Sequence, residues 1–374
     1  MKKLLHIQLL PLLSGVQNFS LHLLDGLPAD MYDIHVACKP GGNFVDATRK
    51  RGWRFIPLPS LVHPISPLDL ISFFHLLWIL KRERFDIVHT NSSKTGLLGR
   101  LAAWLIRVPM IVHTSHGLPF QKGQSPLKYG FFIFLEGLAN HLCHKVIFVN
   151  NSDRLRCIEM KLITKSKATT INNALPISLV EKLSAIAKAR SNRDEDTFTL
   201  GSTMRFSTQK NAVNLIACAC RACESNPKLR FVIIGDGEHL ELCRQIVRSH
   251  NLNARILLPG WDSRILDWLP LFDAFILYSR WEAQPFSLIE AMHSGLPLIG
   301  SKIPSIAELV EEDCGFLIDL DAHKELIKLL ISLPEKRILL QKMGEAASKR
   351  ISGICDYQTM VGSYRNIYEM DGVE

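Results

Sequence analysis

The stretch LYSRWEAQPFSLIEAMHSGLPLIGS, residues 277–301, sets Glu282 and Glu290 eight positions apart, on either side of Gln-Pro-Phe-Ser and between two apolar runs. A strand over 274–277 would end at this turn, and a helix begun by Pro285 and stopped by Gly295 and Pro297 would follow. The first amides of that helix, on Phe286, Ser287 and Leu288, then lack intrahelical acceptors and offer themselves to an anion. A carboxylate beside a phosphate is repelled, so Glu290 is expected to accept hydrogen bonds from ribose hydroxyls instead. Taken alone, the same stretch also fits a plain helix with Glu290 supporting its dipole and Glu282 solvated in a loop.

Four further turns carry suggestive chemistry. LGSTMRFSTQKN, 200–211, leaves a strand with Arg205 and Lys210, two cations able to neutralise a diphosphate, one by a planar fork and one as a point charge. VIIGDGEHL, 232–240, flanks Asp236 with Gly235 and Gly237, whose missing side chains let a backbone come close to a ligand. LLSGVQNFS, 12–20, passes from a strand through Ser14 and Gly15 into a helix. IVHTSHGLPF, 111–120, puts His113 and His116 at a strand end beside Gly117.

Positioning these turns requires strands, and short apolar runs supply them. In the first half they fall at Leu4–Leu10, Asp33–Ala37, Arg54–Ile56, Ile87–His89, Met110–Thr114, Lys145–Val149 and Ala168–Ile171. Helical patterns lie between them over Asn18–Leu24, Pro67–Glu83, Lys94–Trp104 and Pro126–Cys143. The polar stretch 185–200 reads as a connector, after which strands resume at Thr197–Ser202, Phe231–Ile234, Arg255–Leu258, Ala274–Leu277 and Pro297–Ser301. The alternation implies α/β architecture with two parallel sheets, and ligands sit outside the carboxyl ends of such strands. With two sheets in one chain the expected site is the cleft between them. A last helix near Tyr357–Met370 carries Met360, Tyr364 and Tyr368 at spacing four.

At 374 residues the chain exceeds one hydrophobic core. Residues 1–175 hold 21 Lys and Arg against 10 Asp and Glu, while the remainder holds 23 against 26, so only the first half is poised to meet an anionic surface. Basic runs lack the interleaved aromatics of nucleic-acid binders. Cys218, Cys220 and Cys223 alternate around a helix, which suits small buried hydrophobes better than one metal. The Asp194-Glu195-Asp196 triplet has the spacing of a metal site but lies in the connector, and metal binding is not expected there. The opening MKKLLHIQLL reads as a first strand, and no apolar run reaches the ~20 residues of a membrane span.

Taken in order, these turns resemble the family 4 retaining glycosyltransferases, especially those building bacterial surface polysaccharides such as O-antigen and capsule. SGVQ, the stretch DIVHTNSSKTGLLGRLAAWLIRVPMIVHTSHGLPF, RFSTQKN, VIIGDGEHL, LPGW and EAQPFSLIEAMHSGLPLIGS follow the family order along nearly the whole chain. The resemblance implies a GT-B fold of two Rossmann-like domains facing a central cleft. Residues 1–185 would bind acceptor, 197–355 would bind the nucleotide sugar, and the helix of 356–374 would return to the first domain. It implies Glu282 on the donor-sugar hydroxyls, Glu290 on the ribose, Arg205 and Lys210 on the diphosphate with the amides of Phe286 to Leu288 and Gly15, His116 against the sugar, and Leu258 to Gly260 with Gly235 beside the nucleoside. Two departures stand out: Ser14-Gly15 replaces the two glycines of many members, and Asn172-Asn173-Ala174 replaces an Asn-Gly turn; Asn173 is able to adopt the left-handed backbone, so an altered turn rather than lost activity is expected.

The implied reaction moves a hexosyl group from a nucleotide-diphosphate sugar, UDP-linked as first choice, to a saccharide acceptor carried on a polyprenyl diphosphate. No metal or cofactor is expected, because fixed cations do that work. The expected location is the cytoplasm, peripheral on the inner face of the membrane. Phe73, Phe74, Trp78, Lys81, Arg82 and Arg84 could rest there on anionic lipid, against a competing reading in which most of the aromatics are core. A GT-B-type nucleotide-sugar 2-epimerase and a non-catalytic nucleotide-binding module are the alternatives.

Overall fold

The computed structural model describes residues 1–62, 65–121, 123–188 and 196–370. Asp194 and Glu195 of the acidic triplet, with much of the connector, lie outside the described residues. The chain forms two compact units, Met1–Ala174 with Tyr357–Glu374, and Leu175–Asp356. The first thus ends before the expected residue 185, because the helix Ile177–Lys188 packs on the helix Phe286–His293 of the second.

The first unit holds strands β1 (Lys2–Ile7), β2 (Tyr32–Cys38), β3 (Arg54–Pro57), β4 (Ile87–Asn91), β5 (Met110–Ser115), β6 (Lys145–Phe148) and β7 (Ala168–Thr170). They pair in parallel in the order β3-β2-β1-β4-β5-β6-β7. The second holds β8 (Phe198–Thr203), β9 (Leu229–Ile234), β10 (Ile256–Gly260), β11 (Ala274–Leu277), β12 (Leu298–Ser301) and β13 (Gly315–Ile318). Its parallel order is β10-β9-β8-β11-β12-β13. In each sheet the strand order reverses once, between β1 and β4 and between β8 and β11. At such a reversal the turns on the two flanking strands diverge, leaving a crevice at the carboxyl ends. The turn after β8 carries Arg205 and Lys210, and the turn after β11 carries Glu282, so the residues chosen from sequence flank that reversal.

Close packing sets the strands of the second unit. A methyl on Gly201 of β8 would lie 1.9 Å from the Phe272 ring, so only glycine fits beneath the entry to β11. Cys218, Cys220 and Cys223 are buried free thiols on the helix Ala212–Ser225, as core hydrophobes. Asn173 does not use the left-handed backbone open to it; the chain at 171–176 runs on without a positive-φ residue.

The last helix, Tyr357–Glu369, belongs to the first unit, and hydrogen bonds pin it there. Tyr368 Oη meets His89 Nδ1 at 2.6 Å, Tyr364 Oη meets Thr114 Oγ1 at 3.0 Å, and Tyr357 donates to the His22 carbonyl at 2.7 Å. Both Tyr364 and Tyr368 are wholly buried, so each phenol needs the partner it has.

Arg100 is the largest wholly buried side chain among the described residues. It donates to Gly96 O at 2.9 Å, to Asn140 Oδ1 at 2.7 Å and to Glu136 Oε1 at 3.2 Å, joining the helix Ser93–Ile106 to the helix Pro126–His141. Removing one member of a buried pair strands the other charge. Arg100→Leu should therefore destabilise the protein by about 3–5 kcal/mol in urea unfolding, and Arg100→Leu with Glu136→Leu should recover most of it.

Candidate functional site

On the second unit the turn after β8 and the turn after β11 are stitched to each other. Arg280 donates its amide to Gln209 O at 2.8 Å, and Gln209 Nε2 donates to Trp281 O at 3.1 Å. Between these bonds Lys210 Nζ meets Glu282 Oε1 at 2.5 Å. The side chains are 16% and 5% exposed, so the pair is held in a low-dielectric setting where a charge-assisted hydrogen bond is strong. The cation expected on the diphosphate and the carboxylate expected on the sugar are thus each other's partner. An anion arriving here must share Lys210 with Glu282.

Arg205 is different. Its side chain is 71% exposed and pairs with Glu238 at 3.3 Å, a contact that water screens. The guanidinium can therefore turn to another anion at small cost. Gly235 has φ +143, and a methyl there would sit 1.8 Å from the Met204 carbonyl. Its bareness admits the backbone of the Arg205 turn. Phe206 donates its amide to Asp236 O, and His239 donates its own to Phe206 O, both at 2.9 Å, which holds the two turns in register.

Pro285 stands at the N-cap of the helix Phe286–His293, one position earlier than a first-turn proline, with an extended ψ of 126. Gly295, φ +65, follows the helix end as its stop. The amide set at this N-terminus is narrower than expected. Leu288 donates to Pro285 O at 3.1 Å and closes the first turn, while the Ser287 amide is taken by no backbone acceptor among the described residues. One turn on, Glu290 is largely enclosed by protein. Burial without a compensating partner raises its carboxyl to about 7, so it changes charge near neutrality.

On the first unit, Gly15 opens the helix Gly15–Asp25 after β1, and His116 follows the last residue of β5. Asn91, at the end of β4, orients the imidazole. Its Nδ2 donates to the Ile7 carbonyl at 3.3 Å, which can only accept, and this fixes which way the amide faces. Oδ1 then accepts from His116 Nε2 at 3.0 Å. His116 must carry its proton on Nε2, and Nδ1 is the acceptor. Burial lowers His116 to about 3, so it stays neutral through the physiological range. Phe19 packs edge-on against the ring at 4.7 Å. Sequence reasoning passed over Asn91, because a strand-end asparagine carries no signal until the histidine beside it is known.

Among the described residues no group of three or more His, Cys, Asp or Glu side chains could hold a metal ion.

Two family models match the chain. The one described as Glycosyltransferase Family 4 matches residues 13–179, and the one described as Glycosyl transferases group 1 matches residues 184–350. The UDP-Gal:alpha-D-GlcNAc-diphosphoundecaprenol alpha-1,3-galactosyltransferase of Escherichia coli is 34% identical over 366 residues, covering 94% of this chain and 92% of its own. The capsular polysaccharide biosynthesis glycosyltransferase CapH of Staphylococcus aureus is 24% identical, covering 80% and 83%. In fold, Anabaena HepE in complex with UDP-glucose superposes with a TM-score of 0.81 at 19% identity, covering 98% of this chain and 99% of that one. The lipopolysaccharide outer core galactosyltransferase WaaB gives 0.72 at 16% identity, covering 98% and 99%. With two Rossmann-like units of the GT-B kind and a relative matched along almost its whole length, the chain belongs to glycosyltransferase family 4.

Proposed function

We propose that the protein transfers a hexosyl residue, galactose first among candidates, from its UDP derivative to a saccharide carried on a polyprenyl diphosphate, with retention of the α configuration. The observation that carries this reading is the Lys210–Glu282 pair at the strand-order reversal of the second sheet. It joins an anion-binding cation to a hydroxyl-binding carboxylate at one point. The E. coli relative, whose name pairs UDP-Gal with an alpha linkage and a diphosphoundecaprenol acceptor, supports donor, stereochemistry and acceptor class.

In this reading the bond between the anomeric carbon and the leaving phosphate oxygen breaks, and the acceptor oxygen bonds that carbon on the same face. The acceptor's proton passes to the donor phosphate. Negative charge grows on the departing diphosphate, and Lys210, Arg205 and the Ser287 amide lower the barrier because they stand there beforehand. Glu282, released from part of its hold on Lys210, turns to the sugar hydroxyls. Glu290 takes the ribose, and on the first unit His116 offers Nδ1 as an acceptor for a hydroxyl hydrogen. The surroundings of Gly235 and Leu258 to Gly260 border the base.

Fixed cations make the reaction metal-independent, so transfer should continue undiminished in excess EDTA; loss of activity restored by a divalent ion would overturn this. Lys210→Ala should lower kcat/KM by about a hundredfold or more, equivalent to about 3 kcal/mol. Arg205→Ala should cost roughly tenfold, since its guanidinium begins in water. Turnover measured with UDP-galactose and a lipid-linked N-acetylhexosamine tests both, and near-normal rates in the two variants would remove the site.

Glu290 adds a pH signature. Only its ionised form accepts from both ribose hydroxyls, and its raised value means that form is lost as pH falls through about 7. Donor kcat/KM should rise with pH across that range, and Glu290→Gln should flatten the limb. His116 contributes no limb, being neutral throughout.

A further inference from the structure

Three neighbouring helices of the first unit are apolar on the side facing away from its sheet. The helix Ser93–Ile106 packs on β4 and β5, with the helix Leu68–Glu83 on one flank and the helix Pro126–His141 on the other. Their inner faces supply the core, through Leu76, Ile79 and Leu80 of the first and Ala102 and Ala103 of the second. The outer face of such a helix in water is normally polar. Here Leu70, Phe74 and Trp78 form an outward stripe at spacing four, with Phe74 61% and Trp78 55% exposed. Trp104 and Leu105 are exposed on the middle helix. On the third, Leu127, Phe131, Phe134 and Leu138 follow at spacings of four, three and four, one complete face, with Phe134 66% exposed. Phe73, by contrast, packs against the core. Glu136 and Asn140 of the third helix are turned inward, where they serve Arg100.

The charges around this face have one sign. Lys81, Arg82, Arg84, Arg107 and Lys128 are exposed on the three helices or at their ends. The acids of the same segments are withdrawn or paired: Glu83 with Arg54 at 3.1 Å, Asp69 with Lys94, and Glu136 with Arg100. Arg82 lies over the Trp78 ring at 5.0 Å, a cation beside an aromatic at the border of the patch. No helix among the described residues is long and apolar enough to cross a bilayer. Large exposed apolar side chains with exposed cations on the same helices or at their ends match the headgroup boundary of an anionic membrane.

We infer that this three-helix face is a monotopic docking surface for an anionic lipid bilayer, entered by the side chains of Phe74, Trp78, Phe131 and Phe134, with the five exposed cations of the same helices and their ends meeting the headgroups. It extends the proposed function by saying which side of the first unit meets the membrane that holds a lipid-linked acceptor. The inference itself rests on the helices and not on the transfer reaction.

The experiment is co-sedimentation of the full chain with vesicles of phosphatidylcholine alone and of phosphatidylcholine with phosphatidylglycerol, neither containing acceptor. Binding to the anionic vesicles is expected, weakened several-fold but not abolished at about 0.5 M salt, since screening removes only the ionic part. Phe131→Ser with Phe134→Ser should lower the partition coefficient at least tenfold, and Lys81→Gln with Arg82→Gln should lower it mainly at low salt. Circular dichroism and urea unfolding confirm that the variants are folded, and Phe74→Ser with Trp78→Ser is a second, independent pair. Absence of wild-type binding, or equal binding by all variants, would overturn the inference. So would a stable dimer in sedimentation velocity that the Phe131 and Phe134 changes dissociate, because a second copy would then cover the face. Vesicle binding without sugar transfer would sink the proposed function and leave this surface standing; transfer to a soluble acceptor without vesicle binding would do the reverse.

Discussion

The second unit is organised around one ion pair. Lys210 and Glu282 come from turns 72 residues apart, and they meet only because β8 and β11 are neighbours at the reversal of strand order. That adjacency depends in turn on Gly201, whose lack of a side chain lets Phe272 lie against the sheet. A buried pair of this kind contributes modestly to stability, because desolvation offsets much of the Coulomb attraction. Its value is positional: it fixes a cation and an acid side by side at the reversal of strand order.

The two units use buried polar chemistry in different ways. In the first, neutral histidines and phenols knit the C-terminal helix to the strand ends, with His89 joined to Tyr368 and Thr114, and Thr114 to Tyr364. Burial keeps His89 and His116 uncharged, so the network fixes tautomers without adding charge. Asn91, itself buried and bonded to His6 and the Ile7 carbonyl, presents His116 in one tautomer. In the second unit a group that changes charge near neutrality, Glu290, stands on the helix that follows the reversal, and the Lys210–Glu282 pair joins the turns on either side of it.

Much of this was legible in the sequence because it follows from local rules. Apolar runs gave twelve of the thirteen strands to within a few residues; β13, only Gly-Phe-Leu-Ile, is too short to separate from a helix turn by pattern. Proline and glycine marked the helix Phe286–His293, although Pro285 serves as its cap. The turns bearing Arg205, Lys210 and Glu282 were identified by type and place. What the sequence could not convey is pairing at a distance: that Lys210 belongs to Glu282, that Leu288 spends its amide on Pro285, or that Gly235 makes room for Met204. Nor does an apolar stripe such as Leu127, Phe131, Phe134 and Leu138 declare which way it faces, because core and membrane surface share one periodicity. The residues 175–188 likewise read as the tail of the first domain until their packing partner is known.

The central claim is that a nucleoside diphosphate competes with Glu282 for Lys210. Calorimetric titration of UDP into the wild type, Lys210→Met and Glu282→Gln tests it with no sugar or acceptor present. The account predicts that Lys210→Met weakens UDP binding at least about tenfold, whereas Glu282→Gln, by freeing the ammonium and removing a nearby negative charge, tightens it. Affinities in both variants equal to that of the wild type would contradict the account.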